Sequence, residues 1–298
     1  MDVALSPEEG SLERDAPLSR LTTWRIGGPA RYLGRVRTEA ALARVLKAAA
    51  AEGLPTALLG MGSNVLVADA GFPGLVLRLE GDFLAVRVEG ERIRAGGGAA
   101  LGGVCAAAAR AGLSGIEAIS GIPSSIGGAV RINAGAYGGE LFDVLEEVSL
   151  VAPDGKARRV PAAEVAHGYR WTALVGSREI VTEAVLLLSP APKERIAEKT
   201  RAVADKRRGA LPSEPNAGSV FKNPEGDYAG RLVEACGLKG ERRGDAVISP
   251  RHANVIVNTG VARAEDVLEL MRLMRDAVRA RFSVTLMPEV EFMGLKWE

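Results

Sequence analysis

Two glycine-rich segments of this 298-residue chain carry residue types and spacings that could do chemistry. Residues 59–67 (LGMGSNVLV) read as a strand, a loop at Gly60-Met61-Gly62-Ser63-Asn64, and a resumed β-branched run. Backbone N–H groups, the Ser63 hydroxyl and the Asn64 amide of such a loop suit a phosphate. A Rossmann fingerprint needs a third glycine and a following helix; Val65 and a strand stand there instead, which argues against a classical dinucleotide fold. By themselves these residues fit a tight strand connection equally well. The second segment, 115–139 (GIEAISGIPSSIGGAVRINAGAYGG), is uncharged apart from Glu117 and Arg131 and holds seven glycines. A packed helix does not tolerate that many glycines, and a disordered linker does not keep so many Ile and Val. Glycine lets a backbone lie close against a large ligand; a Gly-rich core loop is the structural alternative. Neither a P-loop G-x-x-x-x-G-K-[ST] nor a nucleophile elbow G-x-S-x-G occurs.

Composition narrows the classes further. Lys plus Arg (38) balances Asp plus Glu (37), leaving a net charge of +1 and no electrostatic footprint for nucleic acid or an anionic membrane. The longest uncharged stretches, 54–68 and 95–109, are too short and glycine-rich to span a bilayer. The N-terminus, MDVALSPEEG, carries acids where a signal peptide carries basic and apolar segments, so a reducing, cytoplasmic setting is expected. Two distant cysteines (Cys105, Cys236) and two histidines (His167, His252) predict neither a disulfide framework nor a metal site. There is no Gln, and only six Asn: 64, 133, 216, 223, 254 and 258. In a chain this poor in amides, each is a candidate for a specific hydrogen-bonding task.

The elements that must position these segments follow from periodicity and punctuation. Residues 38–52 read as a helix with Thr38 as N-cap, stopped by Gly53 and Pro55. Runs at 56–59, 65–67 and 75–79 read as strands, 84–95 as a hairpin, and 96–112 as a glycine turn entering an Ala-rich helix. A second hairpin at 148–160 turns at Pro153-Asp154-Gly155, and a strand covers 180–188. Beyond Pro190 and Pro192 come a charged helix at 193–208, a loop at 211–218, a helix at 227–236 and a strand at 254–258. A long helix at 264–282 follows, then strands around Met287-Pro288-Glu289. Helices and strands without a strict βαβ rhythm predict an α+β fold.

In order along the chain, residues 22–28 (TTWRIGG), 59–67, 121–139 (GIPSSIGGAVRINAGAYGG), 216–224 (NAGSVFKNP) and 288–290 (PEV) resemble the UDP-N-acetylenolpyruvoylglucosamine reductases. The resemblance runs from about residue 20 to 294. It implies an FAD-binding fold of the vanillyl-alcohol oxidase / p-cresol methylhydroxylase type with a smaller α+β substrate-binding domain. The expected division is a flavin region at 1–195 (subdomains 1–66 and 67–195, with strand 285–298 returning to it) and a substrate domain at 196–284. The implied reaction is NADPH-dependent reduction, through non-covalent FAD, of the enolpyruvyl ether of UDP-N-acetylglucosamine enolpyruvate. The product is UDP-N-acetylmuramate, a precursor of peptidoglycan and hence of cell wall, cell shape and cell division. A cytoplasmic monomer without nucleic-acid or membrane partners is expected.

By the same resemblance, Ser219 is the proton donor, Arg170 in G-Y-R-W binds the substrate carboxylate, and Glu289 is the catalytic glutamate. A planar guanidinium suits a carboxylate better than an ammonium does. Gly60, Gly62, Ser63, Asn64, Gly121, Ile122, Pro123, Ser125, Gly127, Gly128, Ala134 and Gly135 fall to the flavin, and Tyr169, Lys222, Asn223 and His252 to the substrate. Two positions depart from the family: Ser124 stands where glycine is expected, and Arg131 where an apolar or aromatic residue is frequent. Only nine residues separate Arg170 from the strand at 180, which implies the shorter subtype that lacks a tyrosine-bearing loop. Another flavin oxidoreductase of this fold, or a non-catalytic nucleotide-sugar-binding protein, is the alternative reading.

Overall fold

The computed structural model describes residue 1 and residues 3–297. Its contacts divide into two units: 1–14, 32–61 and 74–207, and 15–31, 62–73 and 208–298. Segments 15–31 and 62–73, early in the chain, thus cluster with the C-terminal residues.

In the first unit, helix α1 (Glu39–Ala51) starts where expected, with Thr38 Oγ1 accepting from the Ala41 N–H at 3.2 Å. Leu42, Val45, Leu46 and Ala49 recur at helical spacing and pack on Tyr32, Val36, Leu75, Leu77 and Leu79. These come from a four-stranded sheet ordered Gly10–Pro17, Pro29–Val36, Phe72–Leu79, Thr56–Leu58, whose first two strands the sequence reading does not find. Their alternation is broken by Arg, Gly and Pro, so the period-2 signal is weak.

A five-stranded antiparallel sheet completes this unit, in the order Ala157–Pro161, Leu145–Val151, Ile180–Leu187, Arg92–Gly96, Val86–Glu89. Both predicted hairpins are its outer members. Its Ile93, Ala95, Val148, Leu150, Ala184 and Leu186 pack with α2 (Leu101–Ala111) and the short α3 (Ile126–Arg131). Helix α2 ends at Gly112, φ +72°. The charged helix α4 (Lys193–Ala210) buries Ile196 and leads out of the first unit.

The second unit has a four-stranded sheet ordered Asn216–Ser219, Val255–Asn258, Ala246–Ile248, Arg242–Arg243, packed with α5 (Ala229–Ala235) and α6 (Ala264–Phe282). On α6, Val267, Met271, Met274 and Val278 recur at helical spacing and are buried, and Phe282 is half-buried. Asp69 caps that helix from outside, accepting from the Ala264 N–H at 2.9 Å. Trp24 is fully buried in this core and donates Nε1–H to the Ile256 carbonyl at 2.7 Å. Strand Glu291–Met293 pairs in parallel with Val65–Val67. Residues 287–289, expected as strand, make instead an isolated bridge, Phe221 to Pro288, since proline has no N–H to extend a ladder. Among the described residues no helix is long and apolar enough to cross a membrane.

Candidate active site

In the first unit the glycine-rich segments meet. A Cβ on Gly60 would stand 2.5 Å from Ser125 Oγ, so only glycine lets the 59–61 backbone lie against Ser125. Ser125 caps α3, accepting from the Gly128 N–H at 3.2 Å. The Ser125 turn is tied to the 99–101 segment by Leu101 N–H to Ser124 O and Ile126 N–H to Ala99 O, at 2.8 and 2.9 Å. Ser124, the first departure, turns its hydroxyl onto the Ser125 carbonyl (2.9 Å) and beside Gly128, which has no side chain to obstruct it. Ile122 packs against the core, and Ala134 is 2% exposed with its N–H on Ala129 O, so it fills the core rather than lining a face. Gly121 carries the Arg207 side chain against it. Burial lowers the pKa of that guanidinium, opposed by the nearby Tyr137.

Arg170 sits at φ +52° in a two-residue turn between the paired strands His167–Gly168 and Trp171–Thr172, with its guanidinium 5.3 Å from the Tyr169 ring centroid. Tyr169 is half exposed. Arg131, the second departure, explains how so short a segment before strand 180 is held. Its guanidinium donates to the carbonyls of Leu174 (2.8 Å), Val175 (2.6 Å) and Ser177 (3.3 Å).

In the second unit, backbone pairing gathers a different set. Gly62, at φ +65°, lies so close to the Leu21 carbonyl that a Cβ would be 2.1 Å from it. Asn64 donates Nδ2–H to the Glu289 carbonyl at 3.0 Å, and its own carbonyl accepts from the Glu291 N–H at 3.0 Å. Glu289 N–H in turn donates to Val220 O at 2.9 Å, and Lys222 N–H to Met287 O at 2.8 Å. Ser219 is the last residue of strand Asn216–Ser219, where the sequence predicts a loop over 211–218, and pairs with Val255. Its hydroxyl is half-buried and makes no hydrogen bond among the described residues. This ladder brings Asn64, Ser219, Lys222 and Glu289 together.

Asn223 Oδ1 accepts from the Ala229 N–H at 3.1 Å, fixing the start of α5. His252 is half-buried against Gly230 of that helix; Nδ1 accepts from the Asn254 N–H at 3.2 Å, and burial holds its pKa below 6.5. Asn254, singled out in the sequence only as one of six asparagines, is the clamp of the ladder. Its Oδ1 accepts from Phe221 N–H (3.1 Å) and its Nδ2–H donates to Phe221 O (2.8 Å). The amide scarcity was the signal for it. All six asparagines bond backbone groups through their side chains, Asn133, Asn216 and Asn258 included.

Each unit holds donors that the protein itself leaves unmatched, of the kind a flavin nucleotide's phosphates need. The N–H groups of Gly60 and Met61 in the first unit, and of Gly62 and Asn64 in the second, meet no acceptor among the described residues. Unpaired successive N–H groups in a glycine turn are an anion-binding device. By contrast, a groove of 610 Å³ in the first unit, lined by Arg87, Arg94, Arg158 and Arg159 among others, holds none of the expected site residues. There Arg94 is paired with Glu183 (2.8 Å) and Arg158 with Glu179 (2.7 Å).

Comparison with known proteins gives concordant matches. Residues 30–161 match the FAD binding domain family, and 211–293 match the C-terminal domain of UDP-N-acetylenolpyruvoylglucosamine reductase. UDP-N-acetylenolpyruvoylglucosamine reductase 2 of Symbiobacterium thermophilum is 46% identical over 288 residues, covering 96% of this chain and 94% of the relative. The reductase of Moorella thermoacetica is 43% identical, over 93% and 92%. The crystal structure of the Thermus caldophilus reductase superposes with a TM-score of 0.83 at 42% identity, covering 95% of this chain and 98% of that one. With a flavin-type N-terminal region, a matching C-terminal domain and full-length relatives at this identity, the chain belongs to the UDP-N-acetylenolpyruvoylglucosamine reductase family.

Proposed function

We propose that this protein reduces the enolpyruvyl ether of UDP-N-acetylglucosamine enolpyruvate to UDP-N-acetylmuramate, with NADPH as reductant and FAD as resident cofactor, as a cytoplasmic monomer. The observation that carries the site assignment is Ser219: an uncommitted hydroxyl on a strand whose neighbours are fixed by Asn254 and by the Glu289 backbone. The open N–H groups of Gly60 and Met61, the turn at Ser125 and the half-buried Arg207 against Gly121 support a site for an anionic, close-lying cofactor. When bound, FAD would supply the hydride chemistry at one vinyl carbon, with NADPH as the source of electrons.

The protein's own tasks are then to hold charge and to move one proton. Arg170 binds the carboxylate in a fork and stabilises the negative charge that spreads into it as hydride arrives. Ser219 Oγ gives its proton to the other vinyl carbon; a hydroxyl acts as an acid here because that carbon has become strongly basic. Glu289 supplies the carboxyl beside that transfer, on a backbone tied to the Ser219 strand through Val220. Asn223 takes the diphosphate, and Tyr169, Lys222 and His252 are further substrate contacts.

The test is anaerobic. The flavin is photoreduced, UDP-N-acetylglucosamine enolpyruvate is added, and the visible spectrum is followed. Reoxidation at the turnover rate is expected, slowed about 10²- to 10⁴-fold in Ser219→Ala, the usual share of a general acid. A spectrum that stays bleached moves the activity to another flavin oxidoreductase. Absence of a flavin spectrum after FAD is supplied overturns the reading, and sedimentation velocity decides the monomer.

A further inference from the structure

We infer that Asn133, Glu140 and Gly135 form the mould that aims Arg170, so that the 133–140 turn acts on the substrate carboxylate through the arginine. This rests on the reading of Arg170 given above. Asn133 is completely buried and stands at φ +46°, a conformation that Asn tolerates better than other side chains but adopts only under constraint. Its amide is used on both sides: Nδ2–H donates to Glu140 Oε2 (2.7 Å) and Gly168 O (3.3 Å), while Oδ1 accepts from Phe142 N–H (3.2 Å). Gly168 is the last residue before the Tyr169-Arg170 turn, so Asn133 holds the hairpin at its neck.

Gly135 supplies the second constraint. It lies opposite Glu140 in a short antiparallel pair, and its φ is not positive, so the backbone does not require glycine. Space does. A Cβ at 135 would stand 2.8 Å from Glu140 Cγ and 3.0 Å from Arg170 Nη1. The missing side chain leaves room for the guanidinium beside the carboxylate that Asn133 grips. Satisfied amide–carboxylate networks fix one geometry, and a forked contact to a carboxylate needs that geometry to within about 0.5 Å. Asn133, Glu140 and Gly135 are therefore positioning residues, and Arg170 is the one that touches substrate.

The experiment separates the two half-reactions of the holoenzyme in Glu140→Ala, Glu140→Gln and Gly135→Ala, each alone and with Arg170→Ala. Glu140→Ala is expected to keep the flavin spectrum and the rate of reduction by NADPH. Reoxidation by substrate should slow about tenfold or more, as misplacement of a reacting group does. Glu140→Gln, which keeps an oxygen for Asn133, should stay within about threefold of the parent. On the Arg170→Ala background the Glu140 and Gly135 changes should matter less than about twofold, since residues acting through one group are not additive. Equal losses on both backgrounds, or in both half-reactions, overturn the inference. If Arg170→Ala abolishes reoxidation while Glu140→Ala and Gly135→Ala leave it intact, only the mould fails. If Arg170→Ala is itself harmless, the assignment of Arg170 fails and the mould with it.

Discussion

Replacing Asn254 by alanine should loosen the whole Ser219–Asn223 ladder while touching none of its reactive groups. Asn254 is 2% exposed and Phe221 is fully buried. The Phe221 N–H and C=O face the Asn254 amide at 3.1 and 2.8 Å, because the bridge on the other side of this strand bonds only through Val220 and Lys222. Truncation strands both groups, at roughly 1–3 kcal/mol each, so about 4 kcal/mol together. That is a large part of the 5–15 kcal/mol by which domains are usually stable, and with an m-value of about 3 kcal/mol/M the urea midpoint should fall by roughly 1 M. Fluorescence of Trp24, buried in the same core, reads the transition. Asn254→Asp adds a signature that a general loss of packing lacks. One carboxylate oxygen still accepts from the Phe221 N–H, but the other faces a carbonyl and can bond it only when protonated. The folded-state pKa of the introduced carboxyl is therefore raised above about 3.9, so its contribution is present at low pH and lost as pH rises through the folded value. The gap to the parent should shrink between pH 8 and pH 5. A cost below about 1 kcal/mol for Asn254→Ala, or a pH-independent gap for Asn254→Asp, refutes the clamp.

Further consequences concern groups away from the reacting atoms. Burial keeps His252 below its ordinary 6.5, so the neutral ring's contribution is full above that value and is lost as pH falls below it toward the folded value. Melting temperature should drop between pH 7.5 and 5.5, and less so in His252→Gln. Burial, aided by Glu117, pushes the Cys105 thiol up to about 12. Iodoacetamide at pH 8, followed by peptide mass spectrometry, should label Cys236 at least about a hundredfold faster than Cys105. Gly62→Ala combines an unfavourable φ with a contact of 2.1 Å on Leu21 O, and should cost more than about 2 kcal/mol in denaturant unfolding. Arg131→Ala removes three carbonyl contacts at 174–177 and should open that segment to limited proteolysis before the rest of the unit.

Much of the scaffold was legible because its signals are local. Thr38 as cap, Gly112 as stop, the Pro153-Asp154-Gly155 turn and the apolar face of 264–282 each act within a few residues, and each stands where the spacing puts it. The strands at 10–17 and 29–36 were not legible, since their pairing is decided by partners far away in sequence. The same holds for the site. Its glycine motifs and the family order could be read off the chain, and the shortage of amides marked six asparagines as purposeful. Which atoms they serve could not be read.

What the sequence determined by itself was the family resemblance, and through it the expected cofactor class and the residues for charge and proton transfer, because the motifs are fixed by their order along the chain. Tertiary structure alone decided that Asn254 clamps Phe221 and that Asn64 holds Glu289 across 225 positions. It alone made Gly135 an allowance for the Arg170 guanidinium. Hydrogen bonds and steric exclusion act over a few ångströms of space, and only the folded chain brings residues so far apart in sequence within that range.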